Sequence, residues 1–255
     1  MPSSNETYFI TGGNKGIGFE IVTLLSKSSD KNVIITTTRS PERAKKLYEL
    51  AKKFTNIHVI DLDVGDAKSI NTIEAQLDKI GVKGIDIYIS NAAIFQSLDP
   101  ILKTDADVFL KHYAVNTLGP FLVFQKVYKY LLAKDTRKAI FISSVSGTIS
   151  KSPSFHTTAY GQSKAALNYS VIQLSKELAS ENFIVVPLHP GTVTTETVVG
   201  SLAPLEYTDP NSYETIKARM IGPEESAKGL ISVINGLEAK DSGIFYNYKG
   251  KVLPF

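Results

Sequence analysis

Tyr160 and Lys164 stand four residues apart in AYGQSKAALNYSVIQLSKEL, whose apolar spacing reads as a helix, so phenol and ammonium share one face. Such a pair reads as a proton donor and the cation that tunes it. A free tyrosine titrates near ~10, and a fixed cation at about 5 Å favours phenolate at low effective dielectric, before desolvation subtracts its share. The expectation is a tyrosine drawn down toward neutral pH. Many helices carry the same spacing as a solvated lysine beside a half-buried tyrosine, so the weight rests on the elements that position the pair.

Apolar, β-branched runs recur at 8–11, 33–38, 57–62, 85–90, 139–143, 184–188 and 244–246, with helical spacing at 18–28, 41–54, 67–80, 105–133, 158–180 and 223–237 between them. Alternating strand and helix implies right-handed crossovers onto one sheet: an α/β, doubly wound Rossmann-type fold, seven-stranded and mostly parallel, with helices on both faces. The 255 residues carry no linker, repeat or low-complexity tract, so one domain over 1–255 is expected. The stretch at about 192–222, rich in Thr, Pro, Gly and Ser, follows a strand's carboxyl end, where open α/β sheets place ligands. It reads as a partly helical substrate lid.

Composition narrows the function. There is no cysteine, hence no disulfide, thiolate metal site or cysteine nucleophile, which suits a reducing compartment, and the four histidines are scattered, so no metal is expected. A formal charge of +3 with dispersed lysines disfavours nucleic acid. The start shows neither a basic n-region with an apolar h-region nor any membrane-length apolar run, and the expectation is a cytoplasmic protein with no membrane partner.

The first strand runs directly into Thr11-Gly12-Gly13-Asn14-Lys15-Gly16-Ile17-Gly18, with a helix opening behind it. That is a phosphate cradle: Gly12 allows the tight turn, Gly16 lets a pyrophosphate approach the backbone, and Gly18 lets helix and sheet pack closely. About twenty residues on, where an acid would accept hydrogen bonds from an adenosine ribose, the chain has Thr38 and Arg39. No carboxylate repels a 2′-phosphate there, Arg39 offers a forked cation, and Lys15 adds a second charge, which points to NADP(H).

Together these motifs resemble the short-chain dehydrogenase/reductase family, in its single-domain NADPH-dependent branch, from Thr7 onward. The glycine turn looks like that family's T-G-x-x-x-G-x-G, Asp63-Val64 like its adenine-contacting pair, and Tyr160 to Lys164 like its Y-x-x-x-K. Ser90-Asn91-Ala92-Ala93 resembles N-N-A-G with two departures, Ser90 and Ala93, the latter adding a methyl near the cofactor; Pro190-Gly191-Thr192-Val193-Thr194-Thr195 resembles P-G-x-V-x-T. The resemblance implies cofactor contacts at Gly12, Asn14, Lys15, Gly16, Ile17, Gly18, Arg39, Asp63, Val64, Asn91, Ala92, Tyr160, Lys164, Pro190, Gly191, Val193 and Thr195. Ile142-Ser143-Ser144-Val145-Ser146-Gly147 resembles the strand-five signature whose second serine is catalytic, which selects Ser144. The sixteen residues to Tyr160 exceed the family's usual spacing, so Ser143 and Ser146 stay open, and 148–157 is expected to form a longer substrate-side loop. Asn116 matches the asparagine that kinks the long central helix and binds a relay water. TGGNKGIG and the ending from Asp241 to Gly250 resemble carbonyl reductase, sniffer and C-factor-like members.

What the resemblance implies is reversible hydride transfer between NADPH and a ketone or aldehyde, with Tyr160 donating the proton, Ser144 holding the carbonyl oxygen, and Lys164 binding ribose hydroxyls while lowering the tyrosine pKa. The substrate is expected to be a neutral small molecule, because Phe95, Phe155, His156, Val193, Val198 and Leu202 suggest an apolar mouth with little fixed charge. His189 reads as a satisfied strand-end histidine. The stripe Phe121, Phe124, Tyr128, Leu131 reads as core, with a homodimer or homotetramer face as the alternative. Rival functions on this scaffold are a 3-oxoacyl thioester reductase, an epimerase, for which a larger C-terminal substrate domain is lacking, and a non-catalytic NADPH sensor.

Overall fold

The structure, a computed structural model, describes residues 5–151 and 155–255. The chain alternates strand and helix from the start: β1 (Thr7–Ile10), α1 (Gly16–Ser28), β2 (Val33–Thr38), α2 (Lys45–Lys53), β3 (Ile57–Asp61), α3 (Ala67–Ile70), α4 (Ile73–Ile80) and β4 (Ile87–Ser90). It continues through α5 (Ala106–Tyr113), α6 (Gly119–Leu132), β5 (Lys138–Ile142), α7 (Thr158–Glu177) and β6 (Ile184–His189). After the excursion β7 (Thr192–Val193), α8 (Glu196–Leu202), α9 (Leu205–Thr208), α10 (Pro210–Lys217) and β8 (Met220–Ile221), it closes with α11 (Pro223–Gly236) and β9 (Tyr246–Asn247).

Seven strands form one sheet in the order β3-β2-β1-β4-β5-β6-β9. All of its pairings are parallel, so the expectation of a mostly parallel sheet is met in full. The order reverses between β1 and β4, and the crevice outside their carboxyl ends is where such sheets bind ligands.

Period two along the strands divides the core. Phe9, Ile35, Tyr88, Phe141 and Val185 face α4, α6 and α7, whereas Ile10, Ile34, Ile89, Ile140 and Val186 face α1, α2 and α11. Both faces are covered, so the strands read as continuous apolar runs rather than alternating ones. The stripe on α6 belongs to this core: Phe124 and Leu131 are buried, and Phe121 and Tyr128 pack partly buried against them. No helix among the described residues is long and apolar enough to cross a membrane.

Two details bear on the site. The segment expected to be a partly helical lid holds three short helices, and its ends are stitched by the pairs Thr192↔Met220 and Val193↔Ile221. The long helix expected over 105–133 is instead interrupted by a π-helical turn at Ala114–Leu118, centred on Asn116. Of the loop after β5, residues 152–154 lie outside the described residues.

Candidate active site

The glycine turn is held from β2. The Gly12 amide donates to Thr37 Oγ1 at 3.0 Å and the Gly13 amide to the Thr37 carbonyl at 3.1 Å. Gly12 has φ +74°, which favours glycine, and a Cβ there would meet Ala92 at 3.1 Å. At Gly18 the reason is space: a Cβ would fall 2.3 Å from the Gly12 carbonyl oxygen and 2.5 Å from Asn91 Nδ2. Gly18→Ala is therefore expected to destabilise the fold by about 1–3 kcal/mol through overpacking, read as a lower urea midpoint, and to weaken cofactor binding by tilting α1.

Behind the turn, α1 starts at Gly16 with no side chain capping it and no acid in its first turn. Its first amides and the positive end of its dipole are left for an anion, so the cradle fits a pyrophosphate. Thr38 is buried at the end of β2 while Arg39 next to it is exposed and, among the described residues, has no carboxylate partner. Lys15 departs from expectation. Its Nζ lies 3.4 Å from Glu196 in the first turn of α8, so a carboxylate stands beside the charge expected to face phosphate, in an exposed pair worth little.

Several residues expected to touch cofactor are occupied by structure. Asn91 Nδ2 donates to the Thr11 and Gly12 carbonyls at 2.9 and 3.2 Å, and the Asn91 and Ala92 amides both donate to Thr11 Oγ1, so this asparagine staples β4 to the glycine turn. Ala93, where a methyl was expected to crowd the cofactor, is exposed. Val64 is buried in the core on one face of the sheet, with Ala92 partly buried against that core and Ile17 against the core of the other face, and Asn14 is half-buried on the turn. Asp63 Oδ1 accepts from the Gly65 amide at 2.9 Å. The Pro190 carbonyl accepts from buried Ser226 Oγ at 2.6 Å, Gly191 takes φ +88°, and Thr195 Oγ1 caps α8 by accepting from the Val198 amide.

Beyond the cradle, at the carboxyl ends of β5 and β6, a cavity of about 430 Å³ is walled by Ser144, Tyr160, His189, Gly191 and Val193, with Phe95 and Phe155 on its side and α8 and α10 over it. Of the six residues expected at an apolar mouth, five line it and His156 does not. The expectation of little fixed charge is overturned, because Lys151 and Arg219 also line it.

The open choice among serines is narrowed by geometry. Ser143 Oγ donates to buried Asn168 Oδ1 at 2.6 Å, away from the cavity. Ser144 lines the cavity together with Tyr160 and accepts from the Ser146 amide at 3.1 Å, which makes its hydroxyl the cap of a short 3₁₀ turn. Ser146 also lines the cavity. Tyr160 is covered by Phe95, ring centroids 4.5 Å apart, and the Phe95 carbonyl is held by Ser201 of α8.

The tuning expected of Lys164 is not what the structure shows. Burial pushes Tyr160 up to about 12, against a lowering by its Ser144 hydrogen bond. Lys164 is itself buried, its Nζ donating to the Ile142 carbonyl at 2.7 Å and lying 5.9 Å from the tyrosine ring. Desolvation pulls its pKa down to about 7, so it is a half-charged amine near neutrality rather than a permanent cation. His189 is pushed down to about 4 by burial, and its Nδ1 is buried without a partner, so it is neutral but not satisfied as expected.

Asn116 sits in the π-turn as the kink predicts, but its side chain is fully engaged. Oδ1 accepts from the Ile94 amide at 2.8 Å, and Nδ2 donates to the Ile94 carbonyl at 2.9 Å and Ser163 Oγ at 3.1 Å. It braces the segment carrying Phe95; the expected relay of protons does not follow from these contacts. Sequence reasoning missed Thr37, Ser226 and Asn168. The last had a signal, since Tyr160, Lys164 and Asn168 recur every four residues on one helix face.

A crossover-connected parallel sheet with a phosphate cradle beside a tyrosine-lined cavity is the arrangement of a doubly wound nucleotide-binding protein. A family profile of short chain dehydrogenases matches residues 6–203, and the chain belongs to that family. It is 44% identical over 251 residues to an uncharacterized oxidoreductase of Saccharomyces cerevisiae, covering 97% of each chain. Among solved structures it is similar to the NADPH-bound carbonyl reductase from chicken fatty liver, at 29% identity and TM-score 0.86, over 98% of this chain and 99% of that one. It is also similar to the carbonyl reductase Sniffer of Drosophila melanogaster, at 26% identity and TM-score 0.84, with the same coverage.

Proposed function

We propose that the protein reduces a ketone or aldehyde carbonyl to an alcohol, reversibly, with NADPH, and that chain 1–255 works as one cytoplasmic domain whose 192–222 segment is the substrate lid. The observation that carries this reading is the placement of Ser144 and Tyr160 together on the wall of the cavity at the carboxyl ends of β5 and β6, beneath α8 and α10. The likeness to an NADPH-bound carbonyl reductase supports it.

Bound nicotinamide would supply the hydride, and the chain supplies position and a proton. A tyrosine held near 12 stays protonated across the neutral range, which suits proton donation to a developing alkoxide better than proton removal from an alcohol. Ser144 Oγ, anchored by accepting from the Ser146 amide, keeps its one hydrogen for the same oxygen. Lys164 gives one N–H to Ile142 and keeps others for the ribose hydroxyls. Phe95 keeps water from the phenol, and the brace from Asn116 keeps the Phe95 segment in place.

Arg39 would take the 2′-phosphate. Arg39→Asp should lower the NADPH:NADH preference in kcat/KM by about 10–100-fold, the scale of a lost charge-assisted hydrogen bond; an unchanged ratio rejects the assignment. The function itself is tested by following NADPH oxidation across aldehydes, α-diketones, ketoesters and acyl thioesters. Turnover of simple aldehydes or ketones is expected. Turnover of thioesters alone, or of nothing despite tight NADPH binding, overturns the reading.

A further inference from the structure

The charges of the cavity are one-sided. Among the described residues that line it, Lys151 and Arg219 are cations and none is an aspartate or glutamate. His189 does not alter this, since burial keeps it neutral. Among the described residues neither Lys151 nor Arg219 has an ion-pair partner. Both residues are exposed at the cavity's rim, where their summed positive potential attracts an anion that enters and is weakened by salt.

Both cations are placed by local structure. Arg219 follows α10, whose residues Asn211, Ser212, Thr215 and Ile216 line the cavity along one helix face. On the other side of that helix Glu214 and Lys217 pair with each other at 3.3 Å, so the nearby carboxylate is spent outside. Beyond Arg219 the chain enters β8, whose pairing with β7 fixes the backbone. Lys151 lies in the loop after β5, whose first part the tail of the chain braces: Thr148 Oγ1 donates to the Pro254 carbonyl at 3.0 Å and Ser150 Oγ to the Phe255 carbonyl at 3.1 Å, while Phe255 stacks on Phe245.

From this arrangement we propose that the carbonyl substrate carries an anionic group, a carboxylate or a phosphate ester, which Lys151 and Arg219 bind while the apolar wall of Phe95, Phe155, Val198 and Leu202 holds the carbon skeleton. The guanidinium fork matches either anion in two hydrogen bonds, and the ammonium adds a point charge. The proposal names the substrate class for the carbonyl-reduction reading and rests on it for the reaction, though not for binding.

The test uses matched aldehydes: 4-formylbenzoate and 4-(2-carboxyethyl)benzaldehyde, each against its methyl ester, with 4-formylphenyl phosphate as the phosphate arm. With wild-type protein and NADPH, at least one anionic aldehyde should exceed its neutral counterpart in kcat/KM by about tenfold or more, and the excess should shrink as salt rises. The better of carboxylate and phosphate identifies the anion. In the Lys151→Met/Arg219→Met double variant the acid-to-ester ratio should fall to within about twofold of unity, with the Kd for NADPH unchanged. Equal use of acid and ester by wild type, an unaltered ratio in the variant, or a weakened NADPH Kd in the variant overturns the proposal. Should no aldehyde be reduced, carbonyl reduction fails on its own, and binding is read by thermal shift with NADP⁺ present. Stabilisation of wild type, but not of the variant, by an anionic aldehyde then supports the anion site; equal shifts by acid and ester overturn it.

Discussion

Tyr160→Phe is expected to lower kcat for carbonyl reduction by about 10²–10⁴-fold, the range for loss of a positioned general acid. The NADPH Kd and the melting temperature should hardly move. Phenylalanine keeps the ring that Phe95 covers at 4.5 Å, so the cavity wall stays packed. What disappears is the one proton near the carbonyl oxygen with a pKa inside reach; the Ser144 hydroxyl that remains can orient the oxygen but is a far weaker acid. Because burial places Tyr160 at about 12, the wild-type donor stays loaded through the neutral range, and reduction should show no loss from tyrosine deprotonation between pH 6 and 9. Retention of kcat within threefold in the variant removes Tyr160 from the chemistry.

Lys164→Met should have the opposite signs for stability and activity. A buried lysine whose pKa falls from 10.5 to about 7 binds its proton less readily in the folded state than in the unfolded one. Its charge therefore opposes folding in full below about pH 7, and the penalty fades as pH rises through the unfolded pKa of 10.5. Methionine fills nearly the same volume without the charge, at the loss of one hydrogen bond to the Ile142 carbonyl. The net expectation is a gain of about 1–3 kcal/mol at pH 6, shrinking toward pH 10, with reduction largely lost. Urea melts at the two pH values decide this. A variant less stable at pH 6 than wild type contradicts the picture of a strained, functional lysine.

The opening half of the fold was readable because its signals are local. Gly12 needs a positive φ and Gly18 a close approach to the Gly12 carbonyl, both of which favour glycine; the strand runs are apolar on both faces, so their length and β-branching stood out. Boundaries slipped by one or two residues at every strand of the seven-stranded sheet but β2, because the last ladder bonds rather than side chains set the limit. The expected pKa drop in Tyr160 failed for a physical reason: helical spacing gives proximity but not burial, and burial shifts the lysine before the lysine can shift the tyrosine. The charge of the cavity was missed for a similar reason. Lys151 and Arg219 are 68 positions apart in the chain and meet one cavity only through the lid's fold-back on β7 and the bracing of the 148–151 loop. Asn116 illustrates the third kind of gap, since its place in the kink was legible but the commitment of its side chain to Ile94 and Ser163 was not.

The central claim is hydride delivery to a carbonyl carbon. It is tested most directly by incubating the protein with an aldehyde it consumes and, in parallel, with NADPH carrying deuterium at the pro-R or at the pro-S position of nicotinamide C4, then examining the product alcohol by mass spectrometry and NMR. One of the two cofactors should place one deuterium on the carbinol carbon and the other none. An alcohol without deuterium from both cofactors, or tight NADPH binding with no alcohol formed from any carbonyl offered, contradicts hydride delivery.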